Sequence, residues 1–343
     1  MALEAPVTDD RPIWDVWLSM WWLPAVTAAD ELGVFDALAA RPATAAELAA
    51  SLGLDDRGAR ILLPLLASLG LLACHGGRYS AAAPAREFLR KDGPFYWGGV
   101  FARQGRTNPL HALVVRALAG RGARPVGQSS ESPPVEAWER GQLEPDQARQ
   151  IARFMHSHSA AAAAGLARSR IVAGASRLLD VGGGSGCFAI ALAQQDPQLR
   201  CTVMDLAPMC ALAREYIEAA GLGDRVETQP ADMFRDEWPA GHDAVFFSNI
   251  FHDWSDGTCA ELAARAHAAL PSGGRIFLHE MLLDEGGAGP RTAAAFGMLM
   301  LIATRGRQFT FSDLRAILAG AGFVDITAAA AYGYYSLVAA SKP

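Results

Sequence analysis

Leu178-Leu179-Asp180-Val181-Gly182-Gly183-Gly184-Ser185-Gly186 is the stretch that decides the fold. Its first part is an apolar run that suits a strand buried on both faces. Its second part holds four glycines in five positions. Glycine admits positive φ and lets a ligand approach the backbone, so the stretch reads as strand, tight turn, helix. The spacing is G-x-G-x-G and not G-x-G-x-x-G, because Cys187 stands where a dinucleotide loop has its third glycine. Asp180, just before the loop, would repel a pyrophosphate but can pair with an amine.

Working outward, strands are predicted at 177–181, 201–206, 225–229, 243–248 and 275–282, with helices at 188–195, 209–220 and 258–270 between them. This βαβ series predicts an open parallel sheet. Two further strands, 323–329 and 334–340, meet at Tyr332-Gly333 and add one antiparallel strand. The second strand ends in Asp205, nineteen positions after Gly186. A carboxylate there can accept both hydroxyls of a ribose. After the third strand, Asp232-Met233-Phe234 offers an acceptor and an apolar face to adenine. Adenine, ribose and a zwitterionic amino acid together describe S-adenosylmethionine.

The first hundred residues read as helices. Trp14, Trp17 and Trp21 fall on one helical face, widened by Leu18 and Trp22, and are expected to be buried against another subunit or domain. Thr44-Ala-Ala-Glu47 is a capping box opening a helix through Ala50, which Gly53 stops. A leucine-rich helix from Asp55 to Leu69 and a Gly76-Gly77 turn follow, which resembles a winged helix. Such a unit can read DNA. Here the second helix carries Arg57 and Arg60 but continues as Ile61-Leu-Leu-Pro-Leu-Leu66, a surface for packing and not for phosphate. A dimerisation or lid module is therefore preferred over a DNA-binding regulator. An exposed loop is expected over 120–134, and a helix over 145–167, whose alanines 160–164 allow close packing. The expected division is 1–105 as a helical dimerisation domain, 106–165 as a connecting segment, and 166–343 as a cofactor-binding domain.

Composition sets the outer bounds. The 343 residues carry a net charge of −6 and are 51% apolar, ample for two cores and inconsistent with disorder. Only Lys91 and Lys342 are lysines, and the arginines are scattered. Without a basic stripe, neither nucleic acid nor an anionic membrane is expected as partner. The five cysteines are odd in number and lack a C-x-x-C pair, which predicts a reducing cytoplasm and no zinc knuckle. Glu4, Asp9 and Asp10 do not suit a signal sequence, and Asp15 and Pro24 interrupt the apolar stretch 13–29. No membrane span is expected.

LLDVGGGSG, VMDL, ADMF, FHDWSD and the terminal hairpin together resemble the S-adenosylmethionine-dependent O-methyltransferases of the caffeate and acetylserotonin type. The resemblance covers nearly the whole chain. It implies a Rossmann-like α/β sheet preceded by a winged-helix-like dimerisation domain, hence a homodimer. It also implies transfer of a methyl group to a hydroxyl of an aromatic or polyketide-like small molecule. Gly182, Gly184 and Gly186 would wrap the methionine part of the cofactor, with Asp180 beside them. Asp205 and Leu206 would hold the ribose, Asp232 and Met233 the adenine, and Ser159 and Ser248 would complete the set. His252 of the H-D-W piece would be the general base, with Glu280 orienting it and Asp253 either orienting it or capping the next helix. Trp254 is read as packing. Met155, His158, Phe296 and Met298 would line the acceptor pocket, and a partner helix closing it would account for the tryptophan face.

One departure matters. Many relatives carry a second orienting glutamate in G-x-E-R-T, and here Gln308 stands in its place within Gly306-Arg-Gln-Phe-Thr310. Glutamine accepts a hydrogen bond but does not stabilise an imidazolium by charge. The alternatives are carbon methylation of a related scaffold and a relative that keeps the cofactor without transferring methyl. A metal is not expected, because the second histidine that metal-using relatives place near Met298 is missing.

Overall fold

The computed structural model describes residues 6–121, 134–141 and 143–343. They form two compact units. One, the sheet unit, takes the residues up to Arg11, Pro134–Met281 and Phe311–Pro343. The other, the helical unit, takes Pro12–Pro133 and Leu282–Thr310. These boundaries differ from the sequence reading. Pro145–Ser169 belongs with the sheet, and Leu282–Thr310 belongs with the front helices. The loop read over 120–134 lies almost wholly outside the described residues.

In the helical unit, Thr44 caps Ala45–Leu52 through the reciprocal pair the sequence announces. Glu47 N–H donates to Thr44 Oγ1 at 3.2 Å, and Thr44 N–H donates to Glu47 Oε2 at 2.9 Å. Helix Asp56–Ser68 follows and buries Ile61 through Leu66. Strands β1 (Leu72–His75) and β2 (Arg78–Ala81) then form the antiparallel wing. Arg57 is turned inward. Its guanidinium donates to the carbonyls of Gly306 at 2.8 Å, Leu301 at 3.1 Å and Met300 at 3.3 Å, which satisfies the carboxyl end of helix Arg291–Ala303. An arginine spent on a helix terminus is not available to a phosphate.

The same helix explains why Leu282–Thr310 joins this unit. Arg291–Ala303 is apolar all round, with Ala293, Ala295 and Met298 fully buried, so it needs packing on every side. Gly297 sits close to Ile61: a Cβ there would stand 3.4 Å from Ile61 Cγ2. The tryptophan face meets this helix too. Trp14 and Trp17 pack on Phe296 at 5.6 and 6.2 Å between ring centroids. Part of the expected burial against another domain is thus met by Phe296, which the sequence reading placed in the domain 166–343 and which packs within this unit. The opposite side of the same helices stays open, with Ile13 73%, Val16 74%, Met20 44% and Leu23 40% exposed.

The sheet unit has seven strands: β3 (Arg177–Val181), β4 (Arg200–Asp205), β5 (Val226–Pro230), β6 (Ala244–Ser248), β7 (Arg275–Met281), β8 (Val324–Ala330) and β9 (Tyr335–Ser341). Their order is β5-β4-β3-β6-β7-β9-β8. Strands β3 to β7 pair in parallel, and β9 is antiparallel to both neighbours. The central strands are apolar at consecutive positions because helices cover both faces: Leu178, Leu179, Val203, Phe246 and Ile276 are all buried. The order reverses between β3 and β6, so ligands are expected at the carboxyl ends there. Helix Pro145–Ser169 packs on helix Cys187–Gln195, and its Ala162, Ala163 and Ala164 are buried. Gly165 lets it pass under Tyr332, since a Cβ there would lie 2.4 Å from the ring.

Candidate active site

Beyond the carboxyl ends of β3, β4, β5 and β6 lies a cavity with about 700 Å³ of empty space, open to solvent. Gly182 and Gly184 form its floor, followed by Asp205 and Leu206 after β4 and by Asp232, Met233 and Phe234 after β5. Asn249, Ile250, Asp253 and Trp254 enter after β6, and Trp138, Ile151 and Met155 come from the two helices before the sheet. An apolar cluster of Leu143, Ala148, Ala152, Met209 and Leu212, with Ile151 and Leu206 against it, seats helix Pro145–Ser169 beside the cavity.

The glycine loop is held by its acids. Asp205 Oδ2 accepts from Gly184 N–H at 2.9 Å, and Oδ1 accepts from Leu206 N–H at 2.7 Å. Gly184 has φ +58. Gly183 is needed for a different reason: a Cβ there would lie 2.7 Å from Asp180 Cγ and 2.9 Å from Val203 Cγ1. Burial, together with the Asp205 charge, pushes the Asp180 carboxyl up to about 7. Its Oδ2 is buried without a hydrogen-bond partner among the described residues. Burial also raises Asp205, to about 6, against the pull of its two backbone donors. A buried acceptor without a donor, two glycines that keep the floor bare and an acid at each strand end suit a ligand with an ammonium and a hydroxylated sugar. At the opposite end, Asp232 Oδ1 accepts from Phe234 N–H at 2.9 Å beside the apolar Met233, and Asp232 Oδ2 pairs with Arg235. These residues fit S-adenosylmethionine.

His252 stands in a single 3-10 turn, Phe251–Asp253, directly after β6, and is 3% exposed. Glu280 near the end of β7 fixes the turn. Its Oε1 accepts from the N–H groups of Phe251 at 3.0 Å and Ile250 at 3.2 Å. Its Oε2 lies 2.9 Å from His252 Nδ1, within ion-pair distance. On the other side of the ring, Nε2 is 3.7 Å from Asp253 Oδ1. Burial alone would lower the His252 pKa, but the charges of Glu280 and Asp253 outweigh it and raise it to about 8. Burial raises Asp253 to about 7. His158 is close enough for the His252 charge to act on it, and burial followed by that charge holds it down to about 4. The group has the form of a general base held in one orientation by a carboxylate that is itself anchored to the backbone. The cap of the next helix is Ser255, which accepts from Thr258 N–H at 3.2 Å, so Asp253 is free of that task.

Of the residues singled out from sequence, Met155, Gly182, Gly184, Asp205, Leu206, Asp232, Met233 and Asp253 line the cavity. His252 and Glu280 adjoin it through Asp253. Gly186 caps helix Cys187–Gln195 with φ +74 and lies outside the lining. Ser159 is 3.3 Å from His158 Nδ1, and Ser248 is 2.9 Å from His279 Nδ1, also outside it. In the helical unit, Phe296 packs on tryptophans and Met298 is fully buried. Gln308 is 3% exposed, and neither atom of its amide has a hydrogen-bond partner among the described residues. Trp254, read as packing, does pack edge-to-face on Phe234 at 4.6 Å, and it also lines the cavity. Sequence reasoning missed Trp138, Asn249 and Ile250. No spacing rule reaches Trp138, and the Asn249 signal, a residue between a strand end and a base turn, is evident only once the turn is seen. Among the described residues no group of three or more His, Cys, Asp or Glu side chains is placed to hold a metal ion.

A Rossmann-like sheet with an open G-x-G-x-G floor and acids at successive strand ends defines a nucleoside-cofactor transferase of the class I methyltransferase type. Comparison with known proteins narrows this. The O-methyltransferase domain family matches residues 123–324, and the O-methyltransferase dimerisation domain family matches residues 14–91. The chain belongs to the O-methyltransferase family, whose cofactor is S-adenosylmethionine. It is 37% identical to 3-hydroxy-5-methyl-1-naphthoate 3-O-methyltransferase of Streptomyces sahachiroi, over 91% of this chain and 89% of that one. It is 30% identical to L-tyrosine C(3)-methyltransferase of Streptomyces lavendulae, over 87% and 82% respectively. Its fold matches an O-methyltransferase family 2 protein from Planctomyces limnophilus, solved with apigenin, at a TM-score of 0.87 and 27% identity over the whole of both chains.

Proposed function

We propose that this methyltransferase acts on a hydroxyl of an aromatic or polyketide-like small molecule, with His252 as the general base. The observation that carries the reading is the His252 group beside the cavity: an oriented, buried imidazole flanked by two carboxylates. The Streptomyces sahachiroi relative, named for a hydroxynaphthoate, supports the acceptor class. When bound, S-adenosylmethionine supplies a methyl group already activated on a sulfonium. This chain must then hold the acceptor oxygen in line and take its proton. Alignment of this kind contributes about 7–11 kcal/mol. Asp180, Gly182, Gly184, Asp205, Asp232 and Met233 are the residues we assign to the cofactor, and Met155 and His158 to the acceptor. A cytoplasmic location fits the five unbridged thiols.

Incubation with S-adenosylmethionine and a panel of hydroxylated naphthoates, flavonoids and anthraquinones tests the reading. The expected product gains one methyl on oxygen, seen by mass and NMR. A methyl on ring carbon would move the assignment toward the reaction that the Streptomyces lavendulae relative is named for. A product without methyl gain would overturn it.

The pH profile tests the base. A base with its pKa raised to about 8 is protonated below that value and inactive, so turnover should climb through about pH 8 and level above it. Glu280→Gln removes the charge that raises His252, and burial then dominates. The limb should move to lower pH while the plateau falls about tenfold. An unmoved limb means that Glu280 does not set the base.

The dimerisation-domain match and the open face of Ile13, Val16, Met20 and Leu23 together support a homodimer through the front helices. The double variant Val16→Asp, Leu23→Asp should sediment as a monomer where the parent sediments as a dimer. A parent that is already monomeric, or a variant that stays dimeric, would remove this face from the assembly.

A further inference from the structure

Asn249 has no place in the proton-transfer group, yet the structure invests in it. It lies between β6 and the His252 turn with φ +56, a left-handed conformation that few residues with a side chain adopt. Its N–H donates to the His279 carbonyl at 3.1 Å, which pins the backbone there. The side chain is 2% exposed and lines the cavity. The hydroxyl of Tyr335 on β9 lies beside its amide, while Oδ1 has no hydrogen-bond partner among the described residues. Oδ1 is thus a buried acceptor without a donor, which is costly unless a ligand supplies one. The next residue tells which part of the ligand. Ile250 Cδ1 stands 2.5 Å from where a Cβ on Gly182 would be, so Asn249 belongs to the glycine-loop end of the cavity and not to the Asp232–Met233 end.

We propose that Asn249 Oδ1 accepts a hydrogen bond from the α-ammonium of the cofactor's methionine part, with Tyr335 as the positioning residue that fixes the amide. The proposal rests on the assignment of S-adenosylmethionine to this cavity. An ammonium has three N–H donors, so one for Asn249 and one for Asp180 Oδ2 satisfies both buried acceptors. A neutral amide suits this place because two raised carboxyls, Asp180 and Asp205, already crowd the loop.

The test is calorimetric and needs no turnover. Affinities of S-adenosylhomocysteine, which has the ammonium, and 5′-methylthioadenosine, which lacks the amino-acid portion, are compared in the full-length protein. Asn249→Gly keeps the left-handed backbone free of strain and removes only the side chain. It should weaken S-adenosylhomocysteine about tenfold or more and leave 5′-methylthioadenosine unchanged. Tyr335→Phe should weaken the same ligand by a smaller factor with the same selectivity. Equal weakening of both ligands, or of neither, overturns the proposal. Should Asn249→Gly not fold, Asn249→Asp decides: the added charge should shift the ratio of the two affinities, and an unchanged ratio overturns it. Failure of the parent protein to bind S-adenosylhomocysteine would instead overturn the cofactor assignment beneath it.

Discussion

Replacing His252 by glutamine is expected to lower turnover by about 10²- to 10⁴-fold while S-adenosylhomocysteine still binds with its parent affinity. The first half follows from the role of a general base, whose contribution falls in that range. The second half follows from geometry. His252 touches the cavity only through Asp253, and Asp253 is the residue of the pair that lines it. Glutamine is the informative replacement. Alanine would leave Glu280 Oε2 with no partner in a fully buried position, and an uncompensated buried charge costs about 3–5 kcal/mol. That loss would confuse a folding defect with a chemical one. Glutamine can offer Glu280 an N–H donor but has no proton affinity near neutrality. Turnover within a few-fold of the parent would remove His252 from the base role. Loss of cofactor binding along with turnover would show that the turn, and not the proton, had been disturbed.

The cavity floor and its strand-end acids were legible in the sequence because backbone requirements write themselves into residue type. A floor that must stay bare is written as glycine, and a strand end that must accept is written as Asp205 or Asp232. The His252 turn was legible in part. The pairing of His252 with Glu280 was readable through the family resemblance, whereas the way Glu280 is seated was not. It anchors the 3-10 turn through two backbone N–H groups, a contact made across some thirty residues of chain. The helical unit was legible locally but not in its long-range packing. The Thr44 box and the wing were found, but the partner of the tryptophan face was not, because Phe296 is about 280 residues away and periodicity says only that a face is apolar. The division into units differs from the expected domains for the same reason. Leu282–Thr310 follows a sheet strand in sequence, and only its uniform apolarity hinted that it packs among helices. Asn249 and Trp138 carry no pattern at all, since each acts through a single position.

Asp205→Asn should be as damaging to cofactor binding as Asp205→Ala, each raising the dissociation constant of S-adenosylhomocysteine by about a hundredfold. The near-isosteric change is severe because both carboxylate oxygens already accept from the backbone, Oδ2 from Gly184 and Oδ1 from Leu206. An asparagine must turn its NH₂ toward one of these N–H groups, placing donor against donor, or swing away and abandon both. Either outcome frees the glycine loop and leaves a buried N–H unpaired, at about 1–3 kcal/mol. On the proposed assignment of the ribose to Asp205, those contacts are lost as well, and together they reach the stated factor. The same residue predicts a pH effect of definite sign. Its carboxyl is raised to about 6, so the charged, doubly accepting form exists above that pH and disappears below it. Affinity for S-adenosylhomocysteine should therefore fall as pH drops through 6, well below the limb near 8 that governs turnover. Two separated transitions, one in binding and one in rate, are expected by calorimetry and steady-state kinetics. A single shared transition would mean that one group controls both. An Asp205→Asn protein that binds within about threefold of the parent would show that the loop does not depend on this carboxylate.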